Sequence, residues 1–395
     1  MPDLDLLVTA GRVLDPAREL DRVADVAVRE GRIVEISPGI DRARARQLVD
    51  ASGAIVAPGI VDLHTHVLGG VLDSCADADE VGVASGVTTV IDAGSAGPST
   101  IGAFPRWIIP NRRTRIVPFL HIAQTGLATR PDVAAASDID FDLVERALAE
   151  HEGLIGGLKL RMVNPALRIF GLEMLRRATQ IAHDAGLPVM VHVGDLLDQA
   201  DDELGRQTLE LLGPGDIVTH VFTPHPGGVL DARGRVLPEA FAASERGVLF
   251  DAAHGRQNLS FAVLRAVTDQ GLPLTAISTD ISAAGRRAVV FTMTEVMSRY
   301  LGLGFELREV IELSTTKPAA AARLADAGSL VAGGVADISI LDIIPGRWEA
   351  QDAVGARLPL DRLIVPRATV RAGELIAPGP GPHPQGWLPD SFRAS

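Results

Sequence analysis

From Pro58 to Asp280 the chain repeats one pattern eight times: a short run of β-branched and apolar residues, then a longer amphipathic stretch. The runs occupy residues 60–66, 88–93, 115–122, 155–161, 188–193, 216–222, 248–254 and 274–280. Helical periodicity falls between them, at 141–151, 171–185, 202–212, 238–245, 259–270 and 286–301. Strands separated by helices pair in parallel, because a helix-length crossover returns the chain to the same end of the sheet. Eight such units predict an α/β fold, a (β/α)8 TIM barrel.

The ends of the chain have a different texture. Short strands at 4–9, 25–28, 32–36 and 47–50 are punctuated by Gly11, Gly31 and Gly53. After a helix at 319–325, short strands resume at 338–341, 363–365 and 368–371. The simplest arrangement joins both sets, so residues 1–57 and 335–395 are expected to form one small β-sandwich beside a barrel at 58–334. The Pro- and Gly-rich tail from Ala377 is expected to run extended.

The net charge of -13 disfavours nucleic acid or an anionic membrane as the main partner and points to a small molecule. Cys75 is the sole cysteine, which excludes an intrachain disulfide and a cysteine-rich zinc site. Any metal must therefore be held by His, Asp, Glu or Lys. No basic leader precedes the first strand and no apolar run is bilayer length, so a soluble, cytoplasmic protein is expected. The apolar composition suggests a homo-oligomer but fixes no interface.

Functional residues of such barrels sit at the C-terminal ends of the strands. His64 and His66 end the first run and alternate onto one face, spaced to share a metal. Lys159 and Arg161 end the fourth, His192 the fifth, His220 the sixth, His254 the seventh and Asp280 the eighth. A lone histidine on an apolar strand is commonly a hydrogen-bonded core residue. Two on successive strands facing a His-x-His pair point instead to metal. Asp280 lies beside the first strand once the barrel closes, where its carboxylate can bind metal and accept a proton from activated water. Lys159, on an apolar strand, would repel metal as an ammonium; carboxylated at Nζ, it becomes an anionic ligand able to bridge two ions.

His64-x-His66, Lys159, His192, His220 and Asp280, in that order on successive strand ends, resemble the binuclear amidohydrolase superfamily. The segments Ile91-Asp92-Ala93-Gly94-Ser95-Ala96-Gly97, Gly157-Leu158-Lys159-Leu160-Arg161-Met162 and Phe250-Asp251-Ala252-Ala253-His254-Gly255 are similar to its dihydroorotase-like branch, the amidohydrolase/deacetylase metallohydrolases. The resemblance implies that His64 and His66 bind one divalent ion, His192 and His220 a second, carboxylated Lys159 bridges them, and Asp280 binds the first while acting as catalytic base. Zinc is the default metal; Mn, Fe and Co suit the same ligands. Where a dihydroorotase carries a substrate-gripping arginine, two residues past the His-x-His, this chain has Leu68.

Around that set, Arg161 is a candidate to grip a substrate carboxylate, His254 to hydrogen-bond the scissile group, and Gly94 and Ser95 to offer donors. His121, at the end of the third run, is a further candidate. The expected reaction is hydrolysis of an amide or ester, deacetylase-type, in a small carboxylate-bearing substrate, by water activated on the two ions with Asp280 as general base and acid. Ring opening of a cyclic amide or imide is the alternative. An inactive scaffold relative is a third reading, against which all six ligand candidates are retained.

Overall fold

A computed structural model of the chain describes residues 2–395. Seven parallel strands follow one another in order around a barrel: Ile60–Thr65, Val87–Ala93, Arg115–His121, Gly157–Arg161, Val189–His192, Ile217–Thr219 and Leu249–Asp251. The eighth run closes the ring without a regular ladder. It touches the seventh strand through a parallel bridge from Ala276 to Asp251, and the first through Ile281 to Thr65. Asp280 N–H also donates to His64 O at 2.7 Å. Regular pairing is interrupted there, where Asp280 has a left-handed backbone, φ 49°, outside the range of a regular ladder.

The intervening helices end where their sequences say they should. Asp140, Asp201 and Ser260 accept from backbone N–H groups at the starts of helices Phe141–Glu150, Asp202–Leu211 and Phe261–Asp269. Helix Met293–Gly302 starts seven residues later than its periodicity predicts, at the Thr292 cap, after a separate turn at Gly285–Arg287. No helix among the described residues is long and apolar enough to cross a membrane.

Inside the barrel, alternation sorts the residues into layers. Phe119, Met190, Ile217 and Ala276 belong to one buried apolar cluster. Each stands two residues before a polar one, His121, His192, Thr219 and Ser278. The lower layer thus supports the upper: each large apolar side chain buried there contributes roughly 1.5–3 kcal/mol, which helps offset the cost of burying the polar set above it.

Strands from both ends join in one mostly antiparallel sheet, with Ile338–Gln351 linking Ile55–Pro58 to Arg357–Arg371. Leu4–Asp15 crosses its middle, bending at a register shift between Val8 and Gly11. This sheet has its own core, including Leu6, Val8, Val26, Ile33, Ile338 and Ile340. The late strands are much longer than their sequence predicts. Beyond the sheet they continue as a hairpin whose alternate residues Trp348, Ala350, Leu358 and Leu360 pack into the barrel's own core.

Candidate metal centre

The C-terminal mouth of the barrel opens into a cavity of about 320 Å³. His64, His66, His121, Lys159, Arg161, His192, His220 and Asp280, drawn from six of the eight runs, all line it. His66 Nε2 lies 3.0 Å and His64 Nε2 3.5 Å from Asp280 Oδ1. The three residues offer ligand atoms within 4.8 Å of one another. His64 and His220 ring centroids are 5.0 Å apart, and His192 and His220 only 4.1 Å. Lys159 Nζ stands 3.4 Å from His64 Nε2.

Neighbouring groups fix which nitrogen of His220 and of His64 faces the cavity. Ala253 O is 2.7 Å from His220 Nδ1 and can only accept, so Nδ1 carries the proton and Nε2 keeps its lone pair. Thr219 Oγ1 donates to Asp251 Oδ2 at 2.7 Å, which leaves its oxygen to accept from His64 Nδ1 at 2.8 Å. Ser278 Oγ donates to the other Asp251 oxygen at 2.6 Å. Ser95 Oγ lies 2.9 Å from His66 Nδ1. One layer deeper, Asp62 takes Thr279 Oγ1 at 2.6 Å and Thr279 N–H at 3.0 Å, tying the first strand to the eighth run.

Electrostatics keep these groups in ligand form. Burial drives His64 and His192 well below the usual histidine range and His220 down to about 3, so all three rings are neutral at physiological pH. Burial also pushes the Lys159 amine down to about 7, despite the opposing pull of the Asp280 carboxylate. Burial by itself would raise Asp280, but the His66 hydrogen bond and the nearby Lys159 charge outweigh it and hold the carboxyl below its ordinary value.

Two observations show that the donor set suits metal. His192 Nε2 is buried without a hydrogen-bond partner, in a structure where most buried polar atoms are paired. His220 and Asp280, at φ 72° and 49°, occupy the left-handed region, which costs about 1–3 kcal/mol per residue and concentrates at functional sites. His64, His66 and Asp280 could hold one ion and His192 and His220 another, with Lys159 between them.

The remaining candidates have other neighbours. Arg161 lines the cavity but is ion-paired with the buried Asp132 at 2.8 Å. His121 Nδ1 accepts from Ala123 N–H at 3.0 Å, so its Nε2 proton faces Asp132, 3.4 Å away. Ser95 lies behind His66, fully buried. Gly94 donates its N–H to Asp92 O and leaves no donor for a substrate; its place is steric, since a Cβ there would stand 2.7 Å from Lys159 Cβ and Cγ. His254 does not line the cavity: it is buried with Nε2 3.3 Å from the Tyr300 hydroxyl. Sequence reasoning missed Asp62, Thr219, Asp251 and Ser278. The signal for Asp62 was present, two residues before His64 and hence on its face.

No family model matches the chain. A deacetylase of Agrobacterium fabrum is 33% identical over 351 residues, covering 88% of this chain and 85% of that protein. Among solved structures, one described as a dihydroorotase superposes with a TM-score of 0.84 at 31% identity, covering 95% of this chain and 98% of that one. Another, described as an adenine deaminase, gives a TM-score of 0.85 at 28% identity over 95% of this chain and all of that one. With the layered barrel, the converging histidines and these relatives in agreement, the chain belongs to the amidohydrolase superfamily, in its dihydroorotase-like branch.

Proposed function

We propose that the protein is a binuclear hydrolase that removes an acyl group, acetyl foremost, from a small carboxylate-bearing amine or alcohol. The observation that carries this reading is the convergence of three neutral, buried imidazoles with His66, Lys159 and Asp280 on one cavity. His64, His66 and Asp280 would hold one divalent ion and His192 and His220 the other, with Lys159 carboxylated between them; zinc is the default. When bound, such ions bring the pKa of a water near neutrality and polarise the scissile carbonyl.

The chain's own residues do the rest. With its pKa held low, Asp280 is an unprotonated carboxylate at neutral pH, able to take the proton from the attacking water and pass it to the departing nitrogen or oxygen. Thr219 and Ala253 hold His64 and His220 in one tautomer, and Ser95 orients His66. Burial keeps a large fraction of Lys159 as free amine near pH 7, and only that form attacks carbon dioxide. Its nitrogen lone pair bonds to the carbon as one carbon–oxygen π pair moves onto oxygen, the nitrogen proton passes to water, and a carbamate results.

Acyl removal is preferred to ring opening because the Agrobacterium relative is named a deacetylase. Leu68 argues the same way: it is buried in the core and presents nothing to the cavity. In this reading residues 58–334 carry the chemistry, and residues 1–57 with 335–395 support it. We place the protein in the cytoplasm, since its single cysteine offers an oxidising compartment nothing to cross-link within the chain.

The test is a hydrolysis panel on metal-loaded enzyme, with N-acetyl amino acids of both configurations, O-acetyl hydroxy acids, cyclic imides and adenine. Turnover of acetylated acids is expected. Activity on rings alone would replace this reading with the ring-opening one.

A further inference from the structure

The loop joining strand Leu249–Asp251 to helix Phe261–Asp269 lines the cavity with Arg256, Gln257 and Asn258; Gln257 is exposed and uncharged, and the other two carry the chemistry. Arg256 lines the mouth, exposed, and among the described residues its guanidinium has neither an ion-pair nor a hydrogen-bond partner. Asn258 lines the same cavity but is only 5% exposed, and its Oδ1 is buried without a partner. A Cβ built on Gly255 would meet both Asp280 Oδ2 and Asn258 Nδ2, so this carboxamide stands beside the Asp280 carboxylate. A buried amide oxygen without a partner is costly, and Asn258 belongs to the cavity lining, where an entering group can reach its carboxamide.

The loop is held in place at both ends. Gly255 N–H donates to Thr279 O, and Ser260 N–H to Phe222 O, each at 2.9 Å. The tip of the C-terminal hairpin adds two ties: Ala353 N–H donates to Leu259 O at 2.9 Å, and Asp352 Oδ2 accepts from Phe261 N–H at 2.8 Å. The two side chains are therefore carried on a loop anchored before any ligand arrives.

Other cationic groups at the mouth are less suited to an anion. Arg161 is neutralised by Asp132, whose carboxyl would be raised by burial but is held below its ordinary value, chiefly by the Arg161 charge. Arg130 lines the cavity without an ion-pair partner, and the cavity's other amide with an unmatched oxygen, Asn164, is already turned to Asp195, to which its Nδ2 donates at 2.9 Å.

We propose that Arg256 and Asn258 form the specificity pair of this site, Arg256 binding the substrate carboxylate and Asn258 hydrogen-bonding the amide or ester beside Asp280. Carried two residues apart on one anchored loop, the pair is matched to a short substrate, with the carboxylate one or two carbons from the acylated nitrogen or oxygen. This rests on the hydrolase reading for its chemistry, although the recognition of the carboxylate is independent of it.

The experiment compares matched pairs on zinc-loaded enzyme: N-acetylglycine with N-acetylglycinamide, N-acetylalanine with its amide, and O-acetyllactate with its amide. Wild type is expected to favour each acid. Arg256→Gln should raise KM for the acids by about 10–100-fold and leave the amides unchanged, the loss expected for one charge-assisted contact. Asn258→Ala should lower kcat on both members alike, with an unaltered melting temperature showing that the loop has kept its place. Equal use of acids and amides by wild type overturns the proposal, as does loss of the preference in Arg130→Gln instead of Arg256→Gln. If no pair is hydrolysed, the deacetylase reading falls, and calorimetric titration of the same acids and amides decides about Arg256. Acid binding lost only in Arg256→Gln supports it; acid binding absent from wild type, or equal in both proteins, overturns it.

Discussion

Replacing Gly94 with alanine would disturb the site through two effects that can be separated. Gly94 has φ +82°, where a residue with a Cβ pays about 1–2 kcal/mol. Its Cβ would also stand 2.7 Å from Lys159 Cβ and Cγ and 3.2 Å from His121 Cδ2, well inside contact distance. Lys159 is 2% exposed and its Cβ is fixed to a buried strand, so its stem must shift by several tenths of an ångström and carry Nζ out of place in the cavity. Gly271 supplies the control: its φ is also +82°, and a Cβ there would meet nothing within 4 Å. Gly271→Ala should therefore lower the melting temperature by a few degrees at most and leave metal content and turnover intact. Gly94→Ala should show the same conformational cost, and in addition lose metal and at least about 100-fold in kcat/KM, the scale set by misplacing a catalytic group by an ångström or less. Calorimetry, elemental analysis and steady-state kinetics on the two variants would decide. Wild-type metal content and turnover in Gly94→Ala would refute the idea that this glycine exists to seat Lys159.

Further outcomes follow from the same geometry. Asp280→Asn keeps an oxygen facing His66 but cannot accept a proton, so it should retain much of the metal and lose about 10²–10⁴ in kcat; full activity would remove Asp280 from the role of base. Thr219→Val preserves shape but deletes the hydroxyl between His64 and Asp251; it should weaken metal affinity by about 10–100-fold, measured by chelator competition. It should also push the Asp251 carboxyl, already raised by burial to about 6, higher still, because a carboxylate that loses a donor is less stable as the anion. Reloading apo-protein with metal should be faster and more complete in bicarbonate than in carbon-dioxide-free buffer, with the difference lost in Lys159→Met. The Cys75 thiol is pushed by burial up to about 11; since only the thiolate reacts, alkylation of native protein should be negligible at pH 8 and rise toward pH 11, while unfolded protein reacts readily at pH 8.

What could be read in advance was periodic, and what could not was set by tertiary partners. Seven barrel strands were legible as short β-branched and apolar runs, the later ones separated by helical periods. The eighth run carries the same apolar pattern, but a left-handed Asp280 and the Thr279–Asp62 hydrogen bonds replace its ladder. The late hairpin was underestimated because Glu349, Gln351 and Arg357 mask its alternation; Trp348, Ala350, Leu358 and Leu360 are buried only because the barrel's core lies against that face. Histidines at strand ends announced themselves, whereas Thr219, Asp251 and Ser278 read as ordinary strand residues until three adjacent strands bring them together behind His64. Arg161 and His254 illustrate the reverse: their positions suggested substrate contact, yet Asp132 and Tyr300 engage them. Sequence names the side chain; its partner decides its charge and direction.

The central claim is that two divalent ions share one site built from His64, His66, Lys159, His192, His220 and Asp280. Crystals grown with zinc and bicarbonate, measured with anomalous diffraction at the zinc edge, test it most directly. The account predicts two anomalous peaks per chain, one bounded by His64, His66 and Asp280, the other by His192 and His220, with carbamate density continuous from Lys159 between them. A single peak beside His64, with His192 and His220 unligated and a bare Lys159 amine, would contradict it.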